Sequence, residues 1–530
     1  MLSLPDYFVI GLYLIGTLSM GVAIGRRLKT GKDFFLAGRQ LPWWAIGMSL
    51  VATDIGGTDI IGVGGAAYRH GMAVANFEWI GCVPAMIVGA FVFIPFFYRT
   101  GVYTIPEFME RRYNVAVRAI LAACWLLFMA CNLGIMLLAS AKMMAQVFGW
   151  EPALCIIVTA SLVGIYTMIG GLAAVVYTDM IQCVIMILGC LLILIMGLIE
   201  VGGFAELSHR LATLNHPMTD GAPLSPTEIN ASAESTADHA SLILPVDTPS
   251  PYPWPGIFFG LALILSPAYW IGNQAIVQRS LGARSEFEAQ ASYIWGALLK
   301  NIIPLIVAVP GLIALVVVPD LQDSDGAIPA LVGLMLPPGV RGIFVAAFLA
   351  ALMSSIDSYL NSAATIVTND FFVRFVNRQA SDTQLLNIGR VTTLVLVAWA
   401  IVFAFSLNLL SDQGGIYAIF QTLLAFFQGP SFAVLIIGVF WRRATGTAAV
   451  IALLGGIGTS ISLCVLNQPW LAEAWQLEPL FQIQEPFLYF SIWAFLVTAG
   501  LLIIISIFTK QVPAEKLQYV ISNRNGRQDI

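Results

Sequence analysis

Apolar blocks recur along this chain, most of them longer than the ~18 residues that mark a helix able to cross a bilayer. Thirteen candidate spans lie near residues 6–25, 42–66, 72–98, 117–147, 153–169, 173–201, 255–276, 289–318, 336–372, 386–408, 414–441, 445–466 and 486–508. That pattern predicts an all-α polytopic membrane protein, in which the lipid bilayer is the main partner of the outer surface. Charged residues are 10% of the chain, against about 25% in soluble domains. A net charge of −5 without a basic tract gives nucleic acid no footing. The sequence has no Walker motif, so ATP is not expected to drive it. The four histidines form no HExxH pattern, and all seven cysteines, Cys82 to Cys464, fall in apolar spans. Neither a disulfide framework nor a zinc site nor enzyme activity is expected. The N-terminal MLSLPDYF has no basic region before its apolar run, so the first stretch reads as a retained span.

Basic residues alternate with these spans. Arg26, Arg27, Lys29, Lys32 and Arg39 follow the first, and Arg99, Arg111, Arg112 and Arg118 follow the third. Arg279 and Arg284, Arg374 and Arg378, Arg442 and Arg443, and then Lys510, Lys516, Arg524 and Arg527 continue the pattern. Short loops biased this way face the cytoplasm. The expected orientation puts the N-terminus outside and the C-terminus inside, as a multi-pass protein of the cell (inner or plasma) membrane. Segment 202–254, rich in Ser, Thr, Pro and Asp, then becomes an external mobile loop with a short surface helix. It carries a glycosylation sequon at Asn230-Ala-Ser232.

Ionisable side chains at membrane depth cost roughly 2.5–3.5 kcal/mol each on the lenient insertion scale, so they face protein or water. Asp54, Asp59, Glu78, Asp179 and Asp357 are such residues, with Lys142 and Lys300 as the basic ones. An excess of carboxylate asks for a mobile cation or bound protons. Asp54 and Asp59 flank Gly56-Gly57, and each glycine disfavours continuous helix by about 1 kcal/mol. A break there frees carbonyl oxygens, as in the broken helices that hold ions and substrates in transporters. Close helix packing at the glycines and a helix cap at Asp54 are the plainer alternatives. The seventh span has a comparable interruption, LSPAYWIGNQ, with Pro267 and Gly272. Two interrupted spans five apart are the pattern of a five-plus-five inverted repeat. In the ninth span, Ala351, Ser354, Ser355 and Ser358 share one helical face, extended by Asp357 and Asn361. Hydroxyls beside a carboxylate suit an alkali cation, although serines also bond back to their own helix.

Four segments carry a resemblance: YTIPEFMERRYN (103–114), GGLAAVVYTDMIQ (170–182), NQAIVQRSLGARSEFEAQ (273–290) and SSIDSYLNSAATIVTNDFF (354–372). Over about 6–508 the chain resembles the sodium:solute symporter family, and within it the sodium/sugar (galactose or glucose) branch. The resemblance implies a LeuT-like fold. Residues 1–41 would form a leading helix and cytoplasmic loop, 42–201 and 255–441 the two five-helix repeats, 202–254 an extracellular loop, 442–508 two trailing helices and 509–530 a cytoplasmic tail. It implies Na+ as coupling ion, at a main site made by the carbonyls of Ala52, Ile55 and Ala351 and the hydroxyls of Ser354 and Ser355. A second sodium site, present in some members, would use Asp179, Ser354, Asp357 and Ser358. Glu78, Lys300 and Gln421 match polar sugar contacts, Tyr269 the aromatic that stacks on the sugar from the inner side, and Phe77 and Tyr417 outer-gate positions. The branch usually has an amide at Asp54, Gln or His at Asp59, Asn at Ser266 and a small polar residue at Gly81. The Asp-Ile-Gly-Gly of 54–57 looks more like the proline branch. The expectation is therefore a sodium-driven symporter importing a small polar solute, a sugar or polyol first. An amino-acid or carboxylate symporter is the near alternative, a proton-coupled carrier another, and a channel or membrane sensor the alternative of a different class.

Overall fold

The computed structural model describes residues 3–26, 30–215, 239–410, 416–468, 480–481, 483 and 486–521. The sequon at 230–232 and Arg27, Lys29, Arg524 and Arg527 lie outside the described residues. Within them the chain is helical, and the only bridges are isolated ones, such as Leu41 with Ala283.

The elements that place the interior are as follows. Helix α1 (Leu4–Gly25) leads. A broken pair follows, α2 (Trp43–Asp54) and α3 (Gly57–His70), and then α4, residues 78–100, in which π-helical turns alternate with α-helix. A short α5 (Ile105–Arg112) precedes the long α6 (Val115–Phe148) and α7 (Pro152–Val201). Helix α8 (Phe204–Asn215) is the short helix expected in segment 202–254. The second half runs through α9 (Gly256–Gly272), α10 (Gln274–Leu281), α11 (Glu286–Lys300), α12 (Ile303–Val317) and α13 (Ala327–Met335). It continues with α14 (Val340–Val376), α15 (Asp382–Leu410), α16 (Ile416–Ala425) and α17 (Gln428–Phe440). The last are α18 (Gly446–Leu466) and α19 (Phe487–Phe508).

Nine stretches among the described residues are long and apolar enough to cross a membrane, or eleven when two bent pairs count as spans. The other two expected spans appear as the broken α2/α3 segment and the shorter apolar helix Pro152–Gly164. Thirteen is therefore not reached on length alone, because breaks and a kink shorten the individual helices. The kink between the fifth and sixth expected spans is at Gly171, with φ 56 and ψ −174, so the two read as one bent helix.

The interior is built around α14, whose most apolar stretch is 94% buried. It packs on α7, α1, α6 and α15. Asp6 of α1 fixes its start, accepting from the N–H groups of Gly339 and Gly342 at 2.7 Å each. Helix α2 packs on α11 and α3 on α12. At the second crossing the Gly64 carbonyl lies against Gly311, where any side chain would collide. Helices α18 and α19 pack on each other at the outside. The outer faces stay apolar, with Phe8, Phe91, Leu127, Val402 and Phe508 exposed, as lipid requires. This is a multi-pass membrane protein.

Candidate functional site

The first break leaves backbone polar groups without helical partners, as helix ends do. Ile55 leaves the helical region at φ −92, ψ 87, and Gly56 is extended, at φ −88, ψ −178. Against this gap lies the hydroxyl face of α14. Ser354 Oγ donates to the Ala52 carbonyl at 2.7 Å and to the Ala351 carbonyl at 2.9 Å. Ser355 Oγ donates to the Thr53 carbonyl at 3.0 Å and the Ala351 carbonyl at 3.1 Å. Ser354, Ser355 and Ala351 are fully buried. Four of the five expected ligand groups thus meet across 302 residues of chain, while no hydrogen bond ties the Ile55 carbonyl to this group. The serines do bond back to their own helix, yet the same hydroxyls also reach the broken segment. The glycine is needed for that approach, since a Cβ on Gly56 would sit 2.7 Å from Ser355 Oγ.

Beside this oxygen cluster is a cavity lined by Asp54, Asp59, Glu78, Ser266, Tyr269 and Gln421, with Phe77 and Tyr417 also in its wall. The cavity volume is about 50 Å³. Lys300, fully buried, is ion-paired with both Asp54 and Glu78, and its ammonium lies 5.8 Å from the centre of the Trp270 ring. All expected solute contacts therefore gather at one place. The plainer alternative for Asp54, a helix cap, falls to its neighbour. The helix-end cap is Asp59, not Asp54: the Gly56 N–H donates to Asp59 Oδ2 at 2.8 Å, holding the carboxylate at the N-terminus of α3. Asp54 instead takes Lys300.

Aromatic rings gather at one wall of the cavity, where Phe77 and Tyr417 line it. Phe77 meets Tyr417, Tyr252 and Phe487 at ring-centre distances of 5.4, 5.7 and 6.3 Å. Tyr252 and Phe487 were not anticipated. Tyr252 falls in the segment that reads as a mobile loop, and Phe487 opens a trailing helix; the signal available was only an aromatic beside a Pro-rich run. On another side Tyr269 shares a 3.1 Å hydroxyl contact with Tyr359.

The residues expected at a second ion site hold a different arrangement. Arg279, fully buried, pairs with Asp179 at 3.3 Å, donates to Ser49 Oγ at 2.7 Å and bonds Ser358 Oγ. Ser358 also donates to Asp357 Oδ1 at 3.2 Å, and Ser49 donates to Asp179 Oδ2 at 2.6 Å. Arg279 reads in sequence as a cytoplasmic loop residue, but the fold buries it inside the protein. The bend in the seventh span is 50° at Asn273, after Pro267 and Gly272, and it turns the short α10 into the protein, where every residue of Gln274–Leu281 is buried. The available signal was Gln274, Gln278 and Arg279 recurring in a segment with no exposed face. Arg118 is likewise an interior residue, bonded to Asp370 and Glu110 at 2.7 Å. Lys142 pairs with Asp323 and Asp325, at 2.9 and 2.8 Å.

A helix broken beside a hydroxyl-lined partner, with a polar cavity at the break, is the interior of a secondary transporter with the LeuT-like inverted-repeat fold. The sodium:solute symporter family model matches residues 34–456. The chain is 33% identical over 502 residues to a sodium/glucose cotransporter of Vibrio parahaemolyticus, covering 89% of this chain and 88% of that one. It is 30% identical to the human sodium/myo-inositol cotransporter, covering 98% and 75%. In fold it is similar to a Na+-coupled sialic acid symporter solved in a substrate-bound outward-open state, with a TM-score of 0.79, 22% identity and coverage of 96% and 99%. The chain belongs to the sodium:solute symporter family and is a sodium-coupled symporter.

Proposed function

We propose that this protein imports a small sugar or polyol across the cell membrane on an inward sodium gradient, by alternating access. The observation that carries the reading is the contiguity of two sites. Asp54, which lines the polar cavity, ends the same half-helix whose carbonyls meet Ser354 and Ser355. The relatives' cotransport of glucose and myo-inositol supports the solute class.

On this proposal Ala52, Ile55, Ala351, Ser354 and Ser355 cage one sodium. Their present mutual hydrogen bonds exchange for ion contacts when sodium binds. That ties α2 to α14 and favours the state open to the outside. The solute's hydroxyls then bond Glu78, Lys300 and Gln421, with Ser266 and Tyr269 on the inner side, and Phe77 and Tyr417 close above. Sodium drives the cycle only if it binds one state better than the other. Coupling to a single sodium is favoured, because the Arg279 guanidinium already balances Asp179 where a second cation would sit. A second sodium held by Asp179, Ser354, Asp357 and Ser358 would have to displace it. The remaining basic connections support an orientation with the N-terminus outside and the tail inside. Residues 42–201 and 255–441 act as the two repeats.

Purified protein in liposomes should accumulate labelled galactose or myo-inositol when sodium is imposed outside, and not when potassium replaces it. Absence of any sodium-driven accumulation across a sugar, polyol, proline and acetate panel sinks the proposal. Uptake of proline or acetate alone transfers it to the amino-acid or carboxylate alternative.

A further inference from the structure

The cavity is out of electrical balance. Asp54, Asp59 and Glu78 all line it, and Lys300 is the ammonium that meets them, pairing with Asp54 and Glu78. Three carboxylates face one ammonium. The half-helix ends do not correct this, because the C-terminus of α2 and the N-terminus of α3 meet at the break with opposite partial charges of about one half each. A sodium at the neighbouring oxygen cluster would remove one of the two surplus charges. One negative charge would remain in a largely buried cavity, where an uncompensated ion costs several kcal/mol. The Asp179 cluster cannot share the burden, since Arg279 pairs with Asp179 there and buried Asp357, bonded by Ser358, adds a further carboxylate.

A second observation shows where a ligand would sit. Gln428 is 1% exposed and lines the same cavity, yet its Nε2 has no hydrogen-bond partner. A buried amide donor left unmade costs about 1–3 kcal/mol, so this one is placed for a guest. It stands on α17, whereas Asp54 and Asp59 belong to the first broken segment. Between them the cavity offers an amide donor to an oxygen and carboxylate lone pairs to a donor. Each carboxylate has about four acceptor positions. Asp59 accepts from the Gly56 N–H at 2.8 Å and, at 3.5 Å, from the Thr58 hydroxyl, both on Oδ2, and Asp54 and Glu78 share Lys300. A primary ammonium, with three N–H donors and no acceptor, fits what is left. A neutral hydroxyl group fits it less well, since it brings no charge.

We infer that the solute for which this cavity is built is a cationic polyol: an amino sugar or amino alcohol whose ammonium lies against Asp54 and Asp59 and whose hydroxyls reach Gln421 and Gln428. This rests on the sodium-coupled polyol reading above and narrows its substrate. The ammonium, rather than a proton or a second metal ion, supplies the missing positive charge. Charge-assisted hydrogen bonds are roughly twice as strong as neutral ones, so the preference over the parent sugar should be about tenfold or more.

The test uses the full-length protein in liposomes, driven by sodium, with galactose and glucose compared against galactosamine, glucosamine and N-acetylglucosamine. The amino sugars should half-saturate at concentrations about tenfold lower than the parent sugars, and N-acetylation, which removes the charge, should abolish the gain. On a solid-supported membrane, each amino sugar should carry one more charge per molecule than galactose. Asp54→Asn and Asp59→Asn should each shrink the amino-to-neutral affinity ratio toward one. The inference is overturned, with sodium–sugar symport intact, if galactose and galactosamine saturate alike or only neutral sugars accumulate. It is also overturned if galactose itself carries a second charge, which would identify the missing cation as a proton or another sodium. If no sugar of either kind accumulates, the parent reading fails and this one with it.

Discussion

Lys300 holds two carboxylates at once, and this sets what single substitutions in the cavity should do. Breaking a buried pair by removing one partner costs about 3–5 kcal/mol, because the other charge is left without compensation. Lys300→Met should therefore lower the melting temperature in detergent sharply. Adding Asp54→Asn and Glu78→Gln to it should restore most of the loss, since neutral partners need no counter-charge. A triple variant no more stable than the single one would refute the charge argument. The two halves of the proposed site can be separated in the same way. Ser355→Ala removes one proposed sodium ligand, and should raise the sodium concentration for half-maximal uptake about tenfold, with less effect on solute. Each 1.4 kcal/mol is a factor of ten, and a hydrogen bond or contact to a charge is typically worth about that or more. Gln421→Ala should do the reverse. Uptake kinetics across a sodium series for both variants decide it, and identical shifts would mean that the assignments are wrong. At this scale the sequence disclosed which residues matter, because charge and amide groups are rare in oil. It did not disclose their pairings. Asp54 and Lys300 are far apart along the chain, and only the packing of α2 on α11 determines that Asp54 takes the lysine while Asp59 caps its own half-helix.

Among elements, the two breaks were unequally visible. Gly56-Gly57 marks the first directly, and the structure ends α2 at Asp54 and restarts at Gly57. The second is signalled by Pro267 and Gly272, yet the helix runs through both and bends at Asn273. Proline near the start of a helical turn costs no hydrogen bond that the π-helical stretch before it has not already given up. Asn273 takes the N-cap of α10, its Oδ1 accepting from the Ala275 N–H at 2.9 Å. That shift of a few residues is why Arg279 reads as a loop residue and is found inside. The kink of α7 makes a sharper prediction. Gly171 has φ 56 and ψ −174, a region that side chains avoid at a cost of about 1–3 kcal/mol. Gly171→Ala should lower thermal stability by that amount, whereas Ala at Gly458, in regular helix with nothing within 4 Å of its would-be Cβ, should be neutral or slightly stabilising. Thermal melts of the two variants in one detergent make the comparison.

For the whole molecule, coupling requires that sodium and solute bias the same closure in opposite directions. The structure gives a reporter for it. Cys82 is buried and lines the cavity together with Phe77 and Tyr417, and Phe77 packs in a ring layer with Tyr252, Tyr417 and Phe487. Two of those four rings were legible from sequence. The other two arrive from a Pro-rich connection and a trailing helix, segments whose patterns say nothing about where they fold back. If sodium ties α2 to α14 and favours the outward-open state, a polar thiol reagent applied from outside should reach Cys82 faster with sodium than with potassium. Saturating solute on top of sodium should slow it again, as the aromatic layer closes. The measurement needs the other six cysteines replaced, so that labelling reports this thiol alone. Tyr252→Ala should raise the rate in potassium and reduce the sodium effect, because removing one ring from the layer opens it without the ion. Ser355→Ala should keep the slow potassium rate and need more sodium to depart from it. A labelling rate indifferent to sodium would mean that the ion has equal affinity for both states. An ion with equal affinity shifts no equilibrium, however tightly it binds, and the oxygen cluster at the first break would then have to be structural.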